Sequence, residues 1–477
     1  MDNLIPHKQI ISTHKQVVSE IVEHDLCIGC GICVGICPSN LLEMSWQENG
    51  DLAPDIDGKC PPSCDACLTV CPFGDHSLVE TTLAMQDFGH NNNIKTDPDL
   101  GLYLETFVGH SLIDNHRKNG ASGGMTTWFL ETLLETNRVD AIISINKSDS
   151  EQELFEFQVI DDIQTIQSIA GSVYHPVDMA SVIAQINQKG LEKNYAVVGL
   201  PCFIKGIKLA MQTMPRLRRR IKVTLGLTCG HLPNKFYTEY LSEISGIKAG
   251  DVQSVDYRIK KRTNRAGNFK FQATSKTKKS GSALAFSDIS NIWGAGHFGM
   301  NACNFCDDVF AELADISVMD AWLPEYEYDT DGNSLMIIRN QELAQLLLDG
   351  MELNTCKAQP ISASEISKSQ SGVIFHKKYL LEARLFWAGL QGLKVPQKRV
   401  QPNPAVYQQH KWQVAARFAV QSTSKKLWPK VNKSNLKLFS LYIYFLSLPI
   451  VLFKFFTKIS NLIKNLKKSY FFKRKIN

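Results

Sequence analysis

Three patterns are missing from this chain, and each absence closes off a class of protein. The stretch Met1 to Gln16 has no long apolar core and no small-residue cleavage site, so a secretory leader is not expected. Without an oxidising compartment the 13 cysteines read as working thiols rather than a disulfide framework, and a reducing cytoplasm is the natural setting. Acidic residues are missing from the end of the chain: Lys425 to Asn477 holds 13 Lys or Arg and no Asp or Glu. With a formal net charge of +5 overall, residues 1–424 stand at −8, an acidic body followed by a basic tail. Aromatic residues are missing around Arg216, Arg218, Arg219 and Arg220, which therefore read as a solvated turn and not a nucleic-acid surface.

What the chain has in abundance is cysteine between Cys27 and Cys71, where eight of the 13 fall. Cys27, Cys30, Cys33 and Cys37, followed by Pro38, read C-x2-C-x2-C-x3-C-P. Two-residue gaps let three thiolates converge on one 4Fe-4S cubane, while the fourth cysteine leaves the loop for a second cluster. The expected sets are Cys27, Cys30, Cys33 and Cys71 for one cluster, and Cys60, Cys64, Cys67 and Cys37 for the other. Cys60 and Cys64 depart from the pattern by one residue, with Pro61 and Pro62 between them. Zinc is the competing reading, but its paired CxxC units usually stand a dozen or more residues apart.

A chain of 477 residues, 44% hydrophobic and 21% charged, predicts several domains with ample core. The expected order is an N-terminal extension (1–17), a two-cluster ferredoxin-like α+β module (18–82), a linker (83–101), an α/β domain (102–400), a helical linker (401–436) and a tail (437–477). Runs Gln16 to Val22 and Leu78 to Thr82 are expected as the outer strands of the module. From Leu102 onward, strand-length apolar runs alternate with helical patterns, which predicts a mixed, largely parallel sheet. Ser254 to Lys260 and Asn268 to Ala273 read as an inserted antiparallel hairpin.

The body carries chemistry of its own. Cys202 follows the strand Tyr195 to Leu200 through Pro201, and Cys229 ends the strand before Gly230 and His231. Cys303 and Cys306 form a CxxC followed by Asp307 and Asp308. Four cysteines suffice for a further cubane; buried core thiols and a structural zinc are the alternatives. Gly294 to Gly299 satisfies G-x-G-x-x-G but lacks the preceding strand and following helix of a dinucleotide site. Ser122, Gly123 and Gly124 open a helix at Met125, where backbone N–H groups either hold a phosphate or simply start the helix.

These residues resemble one family. Ala121-Ser122-Gly123-Gly124, Gly199-Leu200-Pro201-Cys202, Gly226-Leu227-Thr228-Cys229, Tyr257-Arg258-Ile259-Lys260 and Cys303 to Asp308, leading into Ala311 to Ser317, are similar to the family of coenzyme F420 hydrogenase/dehydrogenase beta subunits, with a two-cluster ferredoxin domain fused in front. The resemblance implies an FAD flavoprotein whose third cluster uses Cys202, Cys229, Cys303 and Cys306. It implies FAD-phosphate contacts at Ser122, Gly123 and Gly124, and flavin or substrate contacts at Arg258 and Lys260. Such families include deazaflavin-linked enzymes, a chlorophyll-pathway reductase and relatives associated with surface polysaccharides, so the substrate stays open.

The resulting expectation is an oxidoreductase linking a ferredoxin-like one-electron carrier to a two-electron small-molecule substrate through clusters and FAD. The rival is an electron-transfer subunit that feeds a separate catalytic partner, and a zinc-stapled binding protein is the non-redox alternative. Asp307, His231 and Lys260 are the catalytic candidates, with hydrogen bonding around the cluster the plainer role for the first two. In the tail, Leu438 to Phe453 gives 16 uncharged residues broken by Pro449, short of the roughly 20 a spanning helix needs. Ile459, Leu462, Ile463, Leu466 and Tyr470 then recur at helical spacing among lysines, which suits an in-plane anchor on an anionic membrane, on the inner face of the cell membrane. A single span and docking to a partner protein are the other readings.

Overall fold

The computed structural model of the chain describes residues 16–61, 63–75, 77–190, 192–260, 265–431, 435–448 and 450. The expected amphipathic repeat from Ile459 to Tyr470 lies outside the described residues. In the cysteine-rich module, β1 (Leu42–Trp46) and β2 (Leu52–Ile56) pair antiparallel as a hairpin. Cys33 sits on the single helical turn Ile32–Gly35, and Cys67 on the turn Ala66–Thr69. The two expected outer strands do not form. Val18–Val22 is a π-helical turn, and Leu78 leads into the helix Glu80–Phe88. Leu83, Ala84 and Phe88 are buried along that helix, while Glu80 is buried against Lys205 at 3.2 Å. A strand would send successive side chains to opposite faces and could not bury this set together. The expected linker holds a small hairpin, β3 (Lys95–Asp97) with β4 (Gly101–Tyr103).

The body is built on an eight-stranded sheet. Its first five strands are β5 (Glu105–Ser111), β6 (Ala141–Lys147), β7 (Phe155–Ile160), β8 (Tyr195–Gly199) and β9 (Ile221–Leu227). The chain then leaves for a separate antiparallel sheet, β10 (Val252–Lys260), β11 (Phe269–Ser275) and β12 (Leu284–Ala285), which contains the expected hairpin. It returns as β13 (Ile316–Asp320), β14 (Ser334–Ile338) and β15 (Cys356–Pro360). The spatial order is β15-β5-β14-β13-β9-β8-β6-β7. Only the centre is parallel, through β6·β8, β8·β9 and β9·β13. The remaining pairings, β6·β7, β13·β14, β14·β5 and β15·β5, are antiparallel, so the sheet is mixed and less parallel than expected. The pattern follows burial. All five residues of β8 are buried, as a strand covered on both faces requires, whereas β11 alternates like a strand with one wet face.

Helices flank the sheet close to where periodicity puts them, at Met125–Glu135, Pro201–Thr213, Lys235–Ser245 and Gln341–Glu352. A 24-residue helix, Pro404–Leu427, is capped by Asn403, whose side chain accepts the N–H groups of Ala405 and Val406. The cysteine module is not a separate bead. Ile32, Ile36 and Val70 share one apolar core with Ile183, Ile204 and Ile207 of the body. The approach is close enough that a Cβ on Gly35 would stand 2.6 Å from the Ala180 carbonyl oxygen. Asp51 of the module is held by buried Lys425 at 2.7 Å, so the first lysine of the basic tail is an internal strut and not a surface charge.

Candidate iron-sulfur centres and redox cleft

Twelve of the thirteen cysteines gather into three sets, each within reach of its own members' charges. Cys33 feels Cys30, Cys27 and Cys71. Cys60 feels Cys64 and Cys37, and Cys67 feels Cys60 and Cys64. Cys202 feels Cys306, Cys229 and Cys303. The grouping follows the sets expected from spacing and resemblance, with Cys60 near Cys64 despite the extra residue, and the two ferredoxin sets touch through Cys67, which Cys33 and Cys71 also feel. Cys27, Cys30, Cys33 and Cys71 also line one small, mostly apolar cavity. Among the described residues no three His, Cys, Asp or Glu converge as the ligand shell of a single ion.

The thiols are costly to ionise where they stand. Burial lifts Cys30 to about 11 and Cys71 and Cys229 to about 12. Backbone donors nonetheless point at sulfur: Gly29 N–H to Cys27 Sγ at 3.3 Å, Val17 N–H to Cys67 Sγ at 3.4 Å and Leu232 N–H to Cys303 Sγ at 3.3 Å. Donors aimed at buried sulfur fit thiolates bound to a cluster, which accept hydrogen bonds from the surrounding backbone.

The sequence order of the sets becomes a spatial chain. Cys202 opens the helix Pro201–Thr213, which packs on the module, and it feels Cys30 of the inner ferredoxin set. The Met179 N–H reaches the Cys30 carbonyl at 2.9 Å, tying the same loop to the body. At the other end, Cys229 lies in the wall of a large cleft enclosing about 1840 Å³ of open space, solvent at its mouth included.

That cleft brings together several of the expected residues. Ser122 and Gly124 line it with Met125, Thr126 and Thr127, the first turn of the helix Met125–Glu135. Gly124 has φ +76°, and an added Cβ would stand 2.7 Å from the His116 carbonyl carbon. Gly123 lies under the loop and donates its N–H to Ser334 Oγ at 3.1 Å. Beneath, Ser111 Oγ meets His116 Nδ1 at 2.9 Å, and His116 Nε2 meets Glu131 at 2.8 Å, a buried chain that fixes the loop from below. Arg258 lines the cleft, held bidentate by Asp320 at 2.9 and 3.1 Å and stacked over Phe269. His231 lines it too, with its ring 4.1 Å from that of Trp293.

Two expected roles change. Lys260 does not face the cleft: its Nζ donates to the carbonyls of Arg117, Ser122 and Asp331, so its three protons hold the glycine loop in shape. Burial lowers it to about 8. Asp307 is tied to Lys398 at 3.4 Å and Arg399 at 3.1 Å, and these cations hold its buried carboxyl well below the usual range. A carboxylate so paired is a poor proton carrier. The G-x-G-x-x-G stretch is the end of the helix Phe286–Ala295 with Gly296 as its left-handed cap, the reverse of a dinucleotide fingerprint.

Sequence reasoning missed the cations behind the body cysteines. Lys377, Arg384 and Arg417 are all buried, and each feels at least one of Cys229, Cys303 and Cys306. Nothing in His376-Lys377-Lys378 marked its middle residue as internal, because lysine in a polar helix is ordinarily solvated.

Comparison with known proteins agrees with this division. Residues 26–74 match the 4Fe-4S dicluster domain. Residues 106–184 and 192–364 match the N-terminal and C-terminal parts of the coenzyme F420 hydrogenase/dehydrogenase beta subunit. A subunit of the F(420)H(2) dehydrogenase of Methanosarcina mazei is 21% identical over 70% of this chain and 86% of its own. The coenzyme F420-dependent sulfite reductase of Methanocaldococcus jannaschii is 24% identical over 68% of this chain and 46% of its own, so the chain spans about half of that enzyme. A chain of the xenon-derivatised F420-reducing NiFe hydrogenase complex from Methanosarcina barkeri aligns over 63% of this chain and 99% of its own, at 19% identity and a TM-score of 0.49. The chain belongs to the family of coenzyme F420 hydrogenase/dehydrogenase beta subunits and carries a 4Fe-4S dicluster domain at its front.

Proposed function

We propose that the chain is an iron-sulfur flavoprotein oxidoreductase that moves electrons between a ferredoxin-like one-electron carrier and a small-molecule redox substrate. The observation that carries this reading is the run of three cysteine sets ending at the large cleft, with Cys30 within electrostatic reach of Cys202 and Cys229 in the cleft wall. Cubane clusters pass single electrons, and FAD accepts both single electrons and hydride equivalents. In this reading the first turn from Met125 offers N–H groups to the FAD phosphates, shaped by Ser122, Gly123 and Gly124. Arg258 supplies a fixed positive charge, and Trp293 and Tyr174 supply apolar wall. Lys260 is a positioning residue for the loop.

The relatives named for F420 chemistry suggest a deazaflavin as the two-electron partner, and a surface-polysaccharide intermediate is the other substrate class. The second reading, an electron-transfer subunit that feeds a catalytic partner, is favoured by the relative named as a dehydrogenase subunit. Anaerobic purification with iron, sulfide and flavin quantitation tests the common part. About twelve irons and one FAD per chain is the expected result; about eight irons, or no flavin, overturns it. Reduction or oxidation of a small substrate by the purified chain alone, with an artificial dye as the electron donor or acceptor, then favours the enzyme; total dependence on a partner protein favours the electron-transfer role.

We also propose that the tail contacts an anionic membrane. Residues 436–448 are helical, and among the described residues no helix is long and apolar enough to cross a membrane. Phe439, Ile443, Ser447 and Ile450 pack inward, while Leu438, Leu441, Tyr442 and Phe445, at helical spacing, stay exposed. An outward apolar stripe beside a lysine-rich sequence supports lying on a bilayer surface.

A further inference from the structure

The body cysteine set is surrounded by more buried positive charge than its protein neighbours neutralise. Lys377 is 2% exposed; its Nζ donates to the carbonyl oxygens of Cys229, at 3.2 Å, and Asp308, and it reaches the Cys306 thiol. Arg384 is 1% exposed; Nε donates to the Asn304 carbonyl at 2.6 Å, and Nη2 is buried with no hydrogen-bond partner. Arg417 donates from Nε to Asn304 Oδ1 at 3.1 Å, and its Nη2 is likewise buried without a partner. Among the described residues none of the three forms an ion pair with a carboxylate. Of the nearby acids, Asp307 is paired with Lys398 and Arg399, and Glu312 with Arg399 and Lys378. Asp308 accepts the N–H groups of Phe310 and Glu312 and is the one carboxyl that Lys377 feels, against three buried cations.

Around the inner ferredoxin set the cations are each matched by a carboxylate. Asp51, which Cys27 feels, is paired with Lys425 at 2.7 Å, and Lys205, which Cys71 feels, is paired with Glu80 at 3.2 Å. Asp178 adds a negative group beside Cys30. Buried cations without a counter-charge are expensive, and four thiolates around a cubane supply the missing anion. A cluster gains one negative charge on reduction, so unneutralised cations favour its reduced form. Net charge and hydrogen bonds to sulfur are the levers on its potential.

We propose that Lys377, with Arg384 and Arg417, makes the Cys202, Cys229, Cys303 and Cys306 centre the electron sink of the chain, so that electrons run inward from the ferredoxin module toward the cleft. This rests on the function proposed above. In the step, the reduced centre at Cys27, Cys30, Cys33 and Cys71 is oxidised by one electron and the body centre is reduced by one. No bond is made or broken, and a low-potential one-electron carrier replenishes the module.

The test is a reductive titration of the anaerobic holoprotein followed by electron paramagnetic resonance, with the body signal assigned by its loss in Cys202→Ser. The body signal is expected first. In Lys377→Met its reduced-to-oxidised ratio at fixed potential falls at least tenfold, about 59 mV for one electron, while the ferredoxin signals stay put. Lys377→Arg restores it, and Arg417→Gln shifts it the same way. The proposal is overturned if the ferredoxin signals appear first in the unmodified protein, or if Arg417→Gln and Lys377→Met both leave the body potential unchanged. Should Lys377→Met lose its body iron, the unmodified protein and Arg417→Gln decide. An iron count made before titration separates the cases: about eight irons sinks the function proposed above and this inference with it, whereas about twelve with unmoved potentials sinks this inference alone.

Discussion

At the scale of single residues, burial decides what a side chain can do. His175 is fully buried beside Lys235, and burial first, then that cation, depress its pKa to about 3; burial takes His297 to about 4. Their unfolded pKa is near 6.5, so below that pH the unfolded chain binds protons that the folded chain refuses. Stability present at pH 7 is therefore lost as pH falls through about 6.5, by about 2 kcal/mol for each histidine at pH 5. Denaturant unfolding at pH 7 and pH 5 checks this: His175→Gln should flatten the dependence by about that amount, and an unchanged slope counts against it. Cys202 is a second residue-scale case, because it feels Cys306, Cys229 and Cys303 and, more weakly, Cys30. Cys202→Ser should lower iron by about four per chain and leave the ferredoxin clusters in place, read by iron assay and visible absorbance. The cysteine spacing was legible in sequence because ligand geometry is local. Lys377 and Arg417 were not, because what makes them functional is burial from distant parts of the chain.

At the scale of elements, local chemistry and tertiary context divide the work. The helix Met125–Glu135 was legible from Ser122-Gly123-Gly124 and its apolar periodicity, and the structure adds that Gly124 must be glycine. Gly124→Ala should cost about 1–2 kcal/mol for the left-handed backbone, and more from the collision with His116. If the loop holds FAD phosphate, flavin content falls in this variant while iron content stays; equal loss of both would mean general misfolding. The outer strands of the module were misread because short apolar runs do not distinguish strand from helix. β14 and β15 are hard to read from sequence for a related reason: both lie antiparallel beside β5, a strand more than 200 residues earlier in the chain. The tail helix has two apolar faces, and only packing shows which one is spare. Replacing Leu438, Leu441 and Phe445 by Gln should release the protein from anionic vesicles in a flotation assay without changing its melting temperature. Retention on the vesicles would exclude the stripe as the contact. Truncation from residue 437 is the poorer experiment, because Phe439 and Ile443 also cover Tyr240, Trp428 and Phe298.

At the scale of the whole molecule, the ferredoxin module and the body fold against each other. Their shared core, the close approach at Gly35 and the Asp51–Lys425 pair predict that the linker near residue 90 is not a seam. Excising residues 1–90 should leave an aggregating body, since Ile183, Ile204 and Ile207 lose their cover; a soluble, cooperatively melting fragment would show otherwise. The sequence by itself determined the 4Fe-4S dicluster character of the front module and the alternation of strand and helix in the body, because thiolate spacing and hydrophobic period are properties of short stretches. Only the tertiary structure decided that Cys202 comes within electrostatic reach of Cys30, that Lys260 serves a loop rather than a cleft, and that three cations lie buried behind the body cysteines. Those facts depend on which distant segments exclude water from one another, and charge acts at full strength only where water has been removed.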